Sequence, residues 1–207
     1  MKLLPISLVG PRPKLLGIAA TAMLALGVFA GSAQACSYSG AEPVFSPWGD
    51  AHSYVLAPDG GFEAGATGWS LSGGAKAVAG NESYYLNGSA DKASLSLPPG
   101  GSAVSPPICM SLDTPIFRFF ARNTGDPSSR LRVDATYKLL GLVQTRVGAT
   151  IGAGPNWEPS QQVSTVLGLS TIVGTLIPSA VQVRFTPLDS KGQWQVDDFY
   201  VDPFARH

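Results

Sequence analysis

The stretch that decides the fold, residues 192–203, reads Gly-Gln-Trp-Gln-Val-Asp-Asp-Phe-Tyr-Val-Asp-Pro. Its aromatic residues and valines favour a β-strand and its proline ends one, which predicts a last strand over 193–201. Two adjacent carboxylates, Asp197 and Asp198, lie in the middle of this strand. Because a buried carboxylate loses its hydration, we expect solvent, a basic side chain or a cation to meet the pair.

A glycine-rich stretch far upstream, residues 58–70, is the predicted mate of the last strand. We expect the domain to close where a strand at 59–63 meets the strand at 193–201. Between these ends the chain alternates apolar and polar residues in short runs separated by Gly, Pro, Asn and Asp, which is typical of an all-β protein with two packed sheets. The predicted strands are 61–63, 69–71, 75–79, 84–86, 94–97, 107–111, 116–123, 130–140, 143–150, 161–167, 180–186 and 193–201.

Residues 164–177 are apolar and rich in β-branched side chains, but glycines interrupt them. This pattern fits a pair of strands, or a short helix at 166–170, and the sequence does not decide between them. No other part of the chain after residue 35 has a convincing helical period.

The first 35 residues have the pattern of a secretory signal peptide. A basic start precedes an apolar run over 15–30, and Ala33-Gln34-Ala35 is a cleavage signal. A membrane anchor is the weaker alternative, because the run is short and contains two glycines. We therefore predict a secreted, extracellular protein with no membrane span after cleavage, either free or associated with the cell wall. The predicted organisation is a leader segment over 36–58 packed on the domain, and a sandwich domain over 59–207.

The charge balance argues against a nucleic-acid partner. Residues 1–35 hold three of the 14 basic residues and none of the 14 acidic ones, so 11 basic and 14 acidic side chains remain after cleavage. A slightly acidic domain has no electrostatic attraction for a phosphate backbone.

The chain contains two cysteines, Cys36 and Cys109. An even count in an exported protein favours a disulfide between them. The alternative is that Cys36 becomes a lipidated first residue, but the residues before it fit ordinary signal peptidase better, and lipidation would leave Cys109 unpaired.

The residues available for catalysis are few. His52 and His207 are the only histidines, and neither lies in a recognisable motif. Because a catalytic site needs several groups placed to act together, we predict that the protein is not an enzyme.

Oxygen ligands for a hard cation are better represented. Glu63 follows a Gly60-Gly61 turn, and Asp197 and Asp198 lie on the last strand. Carboxylates and backbone carbonyls at glycine turns are the ligands that Ca²⁺ takes. The open alternative is that these carboxylates cap turns or pair with basic side chains such as Arg118, Arg184 or Lys191.

Aromatic side chains form the third group of candidates, because sugar rings stack on flat aromatic faces. Trp69 and Trp194 lie in patterned strands and are expected in the core. Trp157 follows a Gly-Pro turn, and Tyr84 and Tyr85 point to opposite faces if they lie in a strand. We therefore expect exposure, and any ligand binding, among Trp157, Tyr84 and Tyr85.

Three of these motifs, taken in order, resemble the galactose-binding-like jelly rolls, especially carbohydrate-binding modules of the CBM4/9/22 type. The opening Asp59-Gly60-Gly61-Phe62-Glu63 with Trp69 resembles their N-G-x-F-E…W, and 181–185 and 194–201 resemble their closing strands. The leader and its Cys36 lie outside that pattern. As a whole the chain also resembles small stand-alone exported proteins of high-GC Gram-positive bacteria.

The resemblance implies an all-β jelly-roll sandwich that binds a glycan without catalysis, and a structural Ca²⁺ held by Glu63 with Asp197 or Asp198. It carries over no sugar-binding residue. The function it implies is recognition of extracellular or cell-wall glycans. The alternative is a structural or interaction protein of the cell surface or extracellular matrix that does not bind sugar.

Overall fold

A computed structural model of the chain describes residues 38–110, 116–139, 142–164 and 179–202. These residues belong to one unit that spans Ala33–His207. The signal peptide over 1–35, Cys36 and the undecided segment over 165–177 lie outside the described residues. The strands are β1 (Val55–Leu56), β2 (Ser70–Ser72), β3 (Lys76–Ala79), β4 (Ala93–Leu97), β5 (Ser102–Val104), β6 (Ile108–Met110), β7 (Ile116–Asn123), β8 (Leu131–Leu139), β9 (Leu142–Ile151), β10 (Glu158–Pro159), β11 (Val163–Ser164), β12 (Ser179–Pro187) and β13 (Trp194–Asp202).

The strands form two antiparallel sheets, as the alternating sequence pattern predicts. Sheet 1 has the order β10-β7-β13-β4-β3, with β1 added to β13 and β11 added to β7. Sheet 2 has the order β2-β5-β12-β8-β9, with β6 added to β12. The only helix among the described residues is one 3-10 turn, Ser46–Trp48. The architecture is a jelly-roll β-sandwich, which confirms the predicted fold class.

The main core lies between the two sheets. Phe119 of sheet 1 meets Phe185 of sheet 2 edge to face, with 5.0 Å between ring centroids. Phe199 packs on the same Phe185 ring at 5.4 Å. Trp69 and Trp194 are both buried here, as expected from their patterned strands. The alternating faces of the strands therefore supply the apolar interior that the sequence predicts.

A second apolar cluster lies on the outer face of sheet 1. Phe45 and Tyr54 of the 36–58 segment pack there against Phe120 of β7 and Tyr200 of β13. The segment also contributes β1, which pairs Val55 with Val201. Both faces of the middle of sheet 1 are consequently covered, and β13 is buried along almost its whole length.

Two predicted strands are wrong. Residues 61–63 lie in turns: Phe62, and Asp59 just before them, adopt left-handed backbone conformations, and these conformations break a strand. Residues 84–86 also lie in turns, with Tyr85 at a φ of 52°. The segment that closes sheet 1 against β13 is therefore β1 from the 36–58 segment, and not a strand at 59–63.

Candidate functional site

The paired carboxylates of the last strand lie at a β-bulge. The pairing of β13 with β7 shifts register between Asp197 and Tyr200, and Asp198 has a φ of 48°. A bulge adds a residue to one strand and redirects its side chains. Both Asp197 and Asp198 are fully buried there.

The 57–69 loop fills the edge of β13 beside the bulge. The Ala57 N–H donates to Phe199 O at 2.9 Å, and the Phe199 N–H donates to Gly60 O at 3.0 Å. A Cβ on Gly60 would lie 2.5 Å from Phe199 O, so only glycine fits this approach. A Cβ on Gly61 would lie 3.3 Å from Asp198 Oδ1. The glycine pair therefore brings the loop against the carboxylates.

Glu63 is exposed, and its carboxylate ties this loop to a second loop over 80–92. Its Oε1 accepts the N–H groups of Lys92 and Ala93 at 2.8 and 2.6 Å. The Gly80 N–H closes the base of the second loop by donating to Lys92 O at 2.8 Å. Glu63 therefore caps backbone N–H groups, which is the alternative to metal binding that the sequence left open.

The two aspartates differ in their partners. Asp197 accepts the Glu82 N–H at 2.9 Å and the Asp198 N–H at 2.8 Å, which is again a capping role. Both oxygens of Asp198, and Asp91 Oδ2, make no hydrogen bond of standard geometry among the described residues, although the Asn87 backbone N–H lies close enough to Asp198 to lower its pKa. Neither aspartate takes part in an ion pair of the described residues, which are His52–Asp50, Arg118–Asp50 and Arg132–Asp134. Asp198 is thus the carboxylate that capping does not explain.

The electrostatics of the bulge disfavour two bare charges. Burial, together with the neighbouring Asp198 and Glu82 carboxylates, raises the pKa of Asp197 to about 8, although backbone N–H groups oppose the shift. Burial and the Glu82 and Asp91 carboxylates raise the pKa of Asp198 to about 7, although the Asn87 backbone N–H opposes the shift. A proton or a cation therefore stabilises this site at the expense of the bare dianion.

A calcium ion fits the donor set only in part. In the described ranges, no three His, Cys, Asp or Glu side chains already converge as a metal site. Of the seven buried side-chain oxygens that lack hydrogen-bond partners among the described residues, four belong to this region: Asn81 Oδ1, Asp91 Oδ2 and both oxygens of Asp198. All four are hard oxygen donors on the 80–92 loop and the bulge, which is the ligand type that Ca²⁺ takes.

Glu82 is a buried residue of this region that the sequence analysis missed. Its Oε1 accepts the Leu86 N–H at 2.6 Å, and its Oε2 accepts the Tyr84 N–H. No spacing rule singles out one glutamate in a turn-rich loop. The sequence shows only that Glu82 comes shortly before the tyrosine pair, which does not indicate that its side chain is buried.

The three predicted sugar-binding aromatics separate into two environments. Tyr84 and Tyr85 are about half exposed, at 49% and 52%, on the 80–92 loop. Trp157 is only 7% exposed, so the expectation of an exposed ring is wrong. It precedes β10, which pairs with β7, and the Arg122 guanidinium lies 4.8 Å from its ring centroid. Pairing of a two-residue strand that the sequence did not reveal buries this tryptophan.

Tyr84 is supported from beneath by rings that are themselves fixed. Its ring centroid lies 5.1 Å from that of Trp48, edge to face, and 5.4 Å from that of Phe120. Trp48 is half-buried and comes from the 36–58 segment, and Phe120 comes from β7. One side of the Tyr84 ring is thus packed while half of the residue remains open to solvent.

A buried ionic group anchors the 36–58 segment to sheet 1. Asp50 accepts the Tyr54 hydroxyl at 2.7 Å and Arg118 Nη1 at 2.8 Å, and it lies 2.9 Å from His52 Nδ1. Burial raises the pKa of Asp50, but hydrogen bonds from Tyr54, Gln162, Arg118 and His52 outweigh it and keep the pKa well below its usual range. His52 therefore takes part in an anchor and lines an open depression beside it.

The predicted disulfide remains a prediction. Cys109 lies in β6 and no described cysteine is free, while Cys36 lies outside the described residues. We expect non-reduced mature protein to be two mass units lighter than its reduced form, because one disulfide removes two hydrogens. Intact-mass spectrometry measures this directly. Two free thiols, or a lipid adduct on Cys36, would contradict the pairing.

Comparison with known proteins supports the fold. No protein-family model and no curated protein sequence matches the chain. Among solved structures it is similar to the tandem CBM22-1–CBM22-2 domain of Paenibacillus barcinonensis Xyn10C, with a TM-score of 0.50 and 15% identity over 83% of this chain and 48% of that one. It is also similar to a family 16 carbohydrate-binding module, with a TM-score of 0.49 and 15% identity over 72% of this chain and 99% of that one.

A third solved structure of similar likeness is TmCBM61 in complex with β-1,4-galactotriose, with a TM-score of 0.46 and 12% identity over 72% of this chain and 98% of that one. Identities this low speak for the fold alone and not for a shared ligand. The chain has the jelly-roll fold that carbohydrate-binding modules have.

Proposed function

We propose that the protein is a secreted, non-catalytic glycan-binding protein and that Tyr84 and Tyr85 form its sugar-stacking surface. The observation that carries this proposal is the exposure of these two adjacent aromatic side chains on a loop that is fixed at both ends. Sugar rings stack on uncovered aromatic faces, and a fixed loop loses little conformational entropy when a ligand binds. The glycans are those of the extracellular space or the cell wall.

The absence of catalysis is part of the same proposal. The histidine–carboxylate pair of the described residues, His52 with Asp50, forms part of the anchor on Arg118, and Asp50 already accepts several hydrogen bonds there. An acid–base catalyst needs a partner group placed to act on a substrate, and this pair supports packing.

No helix in the described ranges is long and apolar enough to cross a membrane.

We also propose a structural Ca²⁺ at the bulge. Asp198 would supply its two unpartnered oxygens, and Asp91 and Asn81 the others, with Asp197 and Glu63 fixing the surrounding backbone. The ion would neutralise charges whose burial is otherwise costly, since a buried carboxylate without a partner is strongly destabilising. The support for this site is the set of orphan oxygens and the raised pKa values of the aspartates.

The test of glycan binding uses a glycan array that includes xylohexaose and β-1,4-galactotriose, the sugars bound in two similar solved structures. We expect the mature protein to bind at least one array glycan. Tyr85→Ala should weaken that binding about tenfold, which equals ~1.4 kcal/mol. Its free energy of unfolding should change by less than ~1 kcal/mol, as for other surface substitutions.

Leu188→Ala is the matched control, because Leu188 is also a large exposed apolar residue, at 47% exposure, and lies away from the 80–92 loop in sequence. It should bind as the wild type does. Equal binding by wild type and Tyr85→Ala would remove the tyrosine pair from the proposal.

The second candidate function is that of a structural or interaction protein without sugar binding. The specific observation in its favour is that the exposed tyrosines lie on a loop, while the outer face of sheet 2 has no aromatic side chain among the described residues. A wild-type protein that binds no array glycan, with and without calcium, would favour this function.

A further inference from the structure

We propose that Glu82 is the positioning residue of the glycan site: its buried carboxylate holds the 82–86 turn in the conformation that presents Tyr84 and Tyr85. This inference rests on the proposed function and adds to it the residue that preorganises the surface. It concerns a side chain that reaches no solvent and so acts on a ligand only through the loop.

Glu82 hydrogen-bonds to the buried last strand through its backbone and to the 82–86 turn through its carboxylate. Its carboxylate accepts the N–H groups of Tyr84 and Leu86, which brackets the tyrosine pair within five residues. Its own N–H donates to the buried Asp197 carboxylate on β13. A chain of hydrogen bonds thus connects the rigid last strand to the backbone on both sides of Tyr85.

The backbone of the turn needs this support. Tyr85 has a φ of 52°, in the left-handed region that bulky residues rarely adopt. An outlier of this kind persists only where the surrounding structure enforces it, and such positions concentrate at ligand-binding sites. The Gly88 N–H to Tyr85 O bond, 3.1 Å long, fixes the peptide that follows. The backbone before and after Tyr85 is therefore held by hydrogen bonds to the Glu82 carboxylate and to Tyr85 O.

Glu82 is suited to this role and less suited to direct cation binding. Each of its carboxylate oxygens already accepts a backbone N–H group, whereas Asp198 and Asp91 retain oxygens without partners. Glu82→Gln keeps the size of the side chain but replaces one acceptor oxygen by an NH₂ donor that faces an N–H. The turn then loses one of the two hydrogen bonds that Glu82 accepts from Tyr84 and Leu86. The left-handed conformation of Tyr85 is no longer enforced from both sides.

The experiment is a double-mutant cycle between Glu82→Gln and Tyr85→Ala in the full mature protein with excess calcium. The probe is the glycan that the wild type binds most strongly on the array. We expect Glu82→Gln to weaken binding at least tenfold, and the double variant to lose clearly less binding free energy than the sum of the two single losses. Contacting groups that act as one unit are non-additive, whereas a general loss of stability would add to the effect of Tyr85→Ala.

Amide hydrogen exchange supplies a second readout that needs no ligand. The N–H groups of Tyr84 and Leu86 should exchange at least tenfold faster in Glu82→Gln, while those of β4 stay protected. Glu158→Gln is the control, because it makes the same change at an exposed glutamate on β10, and it should alter neither readout.

The outcomes separate the inference from the proposed function. A wild type that binds and a Tyr85→Ala variant that does not, together with full binding by Glu82→Gln, would overturn the inference alone. Additive losses in the cycle would also overturn it. If the wild type binds no glycan, the proposed function fails, and unchanged exchange at Tyr84 and Leu86 would then refute the positioning of the turn as well.

Discussion

Trp194→Ala should lower the free energy of unfolding by about 3–5 kcal/mol, the range for truncating a large buried aromatic residue. Trp194 is completely buried at the start of β13, and its Nε1–H donates to Ser129 Oγ at 3.0 Å. Its strand pairs with β4 on one side and β7 on the other, so the cavity would open in the core at one end of a central strand of sheet 1. Chemical denaturation followed by circular dichroism measures the loss.

Trp194→Phe is the companion variant, because it keeps an aromatic ring and removes the indole N–H. We expect it to cost clearly less than Trp194→Ala, since only part of the volume and one hydrogen bond are lost. Equal costs for the two variants, or a cost below ~1 kcal/mol for Trp194→Ala, would contradict the full burial of this ring.

Removal of the proposed Ca²⁺ should lower the melting temperature by about 5–10 °C at pH 8. A ligand at a hundred times its Kd stabilises a protein by ~2.7 kcal/mol, and ~1 kcal/mol shifts the melting temperature of a domain this size by ~2–4 °C. Differential scanning fluorimetry in chelator, followed by calcium addition, gives both directions of the change.

The pH dependence of the calcium-free protein identifies the groups responsible. The folded-state pKa values of Asp197 and Asp198, about 8 and about 7, lie above the ordinary value of 3.8. The folded protein therefore binds more protons than the unfolded chain in this window. Its stability in chelator should fall as the pH rises from about 4 to about 8. The stabilisation by calcium should be largest at the alkaline end.

Asp198→Asn provides the control for both measurements. An amide cannot carry the buried charge, and asparagine tolerates the left-handed backbone at this position. In chelator at pH 8 the variant should be more stable than the wild type, and it should respond little to calcium. If chelator leaves the wild-type melting curve unchanged at every pH, the carboxylates act only as caps and protonated acids.

The strands with a clear alternation of apolar and polar residues are the features that the sequence predicts correctly. The alternation along 131–137 and 181–185 predicts strands whose apolar sides face the core, and β8 and β12 have that orientation. The period of two is a local property of the strand, so it is readable without knowing the neighbours. The Gly60-Gly61 turn is also readable, and its meeting with the last strand is confirmed by the Gly60–Phe199 bond.

The errors arise where distant segments decide the environment. Trp157 follows a Gly-Pro turn, which suggested exposure, but pairing of β10 with β7 buries it. Tyr84 and Tyr85 do not alternate across a strand, because Glu82 bonds the backbone around them into a turn. A strand of two residues is too short to show an alternating pattern, and a buried capping carboxylate has no sequence pattern at all. Both are identified only by the segments that they contact.

The sequence by itself determined the β-sandwich class, the strands with clear alternation, the burial of Trp69 and Trp194, and the need of the Asp197–Asp198 pair for a partner. These follow from local periodicity and from the cost of burying charge. The tertiary structure decided that Asp197 is capped while Asp198 is not, that the 36–58 segment supplies a strand of sheet 1, and that Glu82 connects the last strand to the tyrosine pair. These features depend on contacts between residues far apart in the chain, such as the pairing of Val55 with Val201 and the bond from Glu82 to Asp197, 115 positions away, which no local pattern encodes.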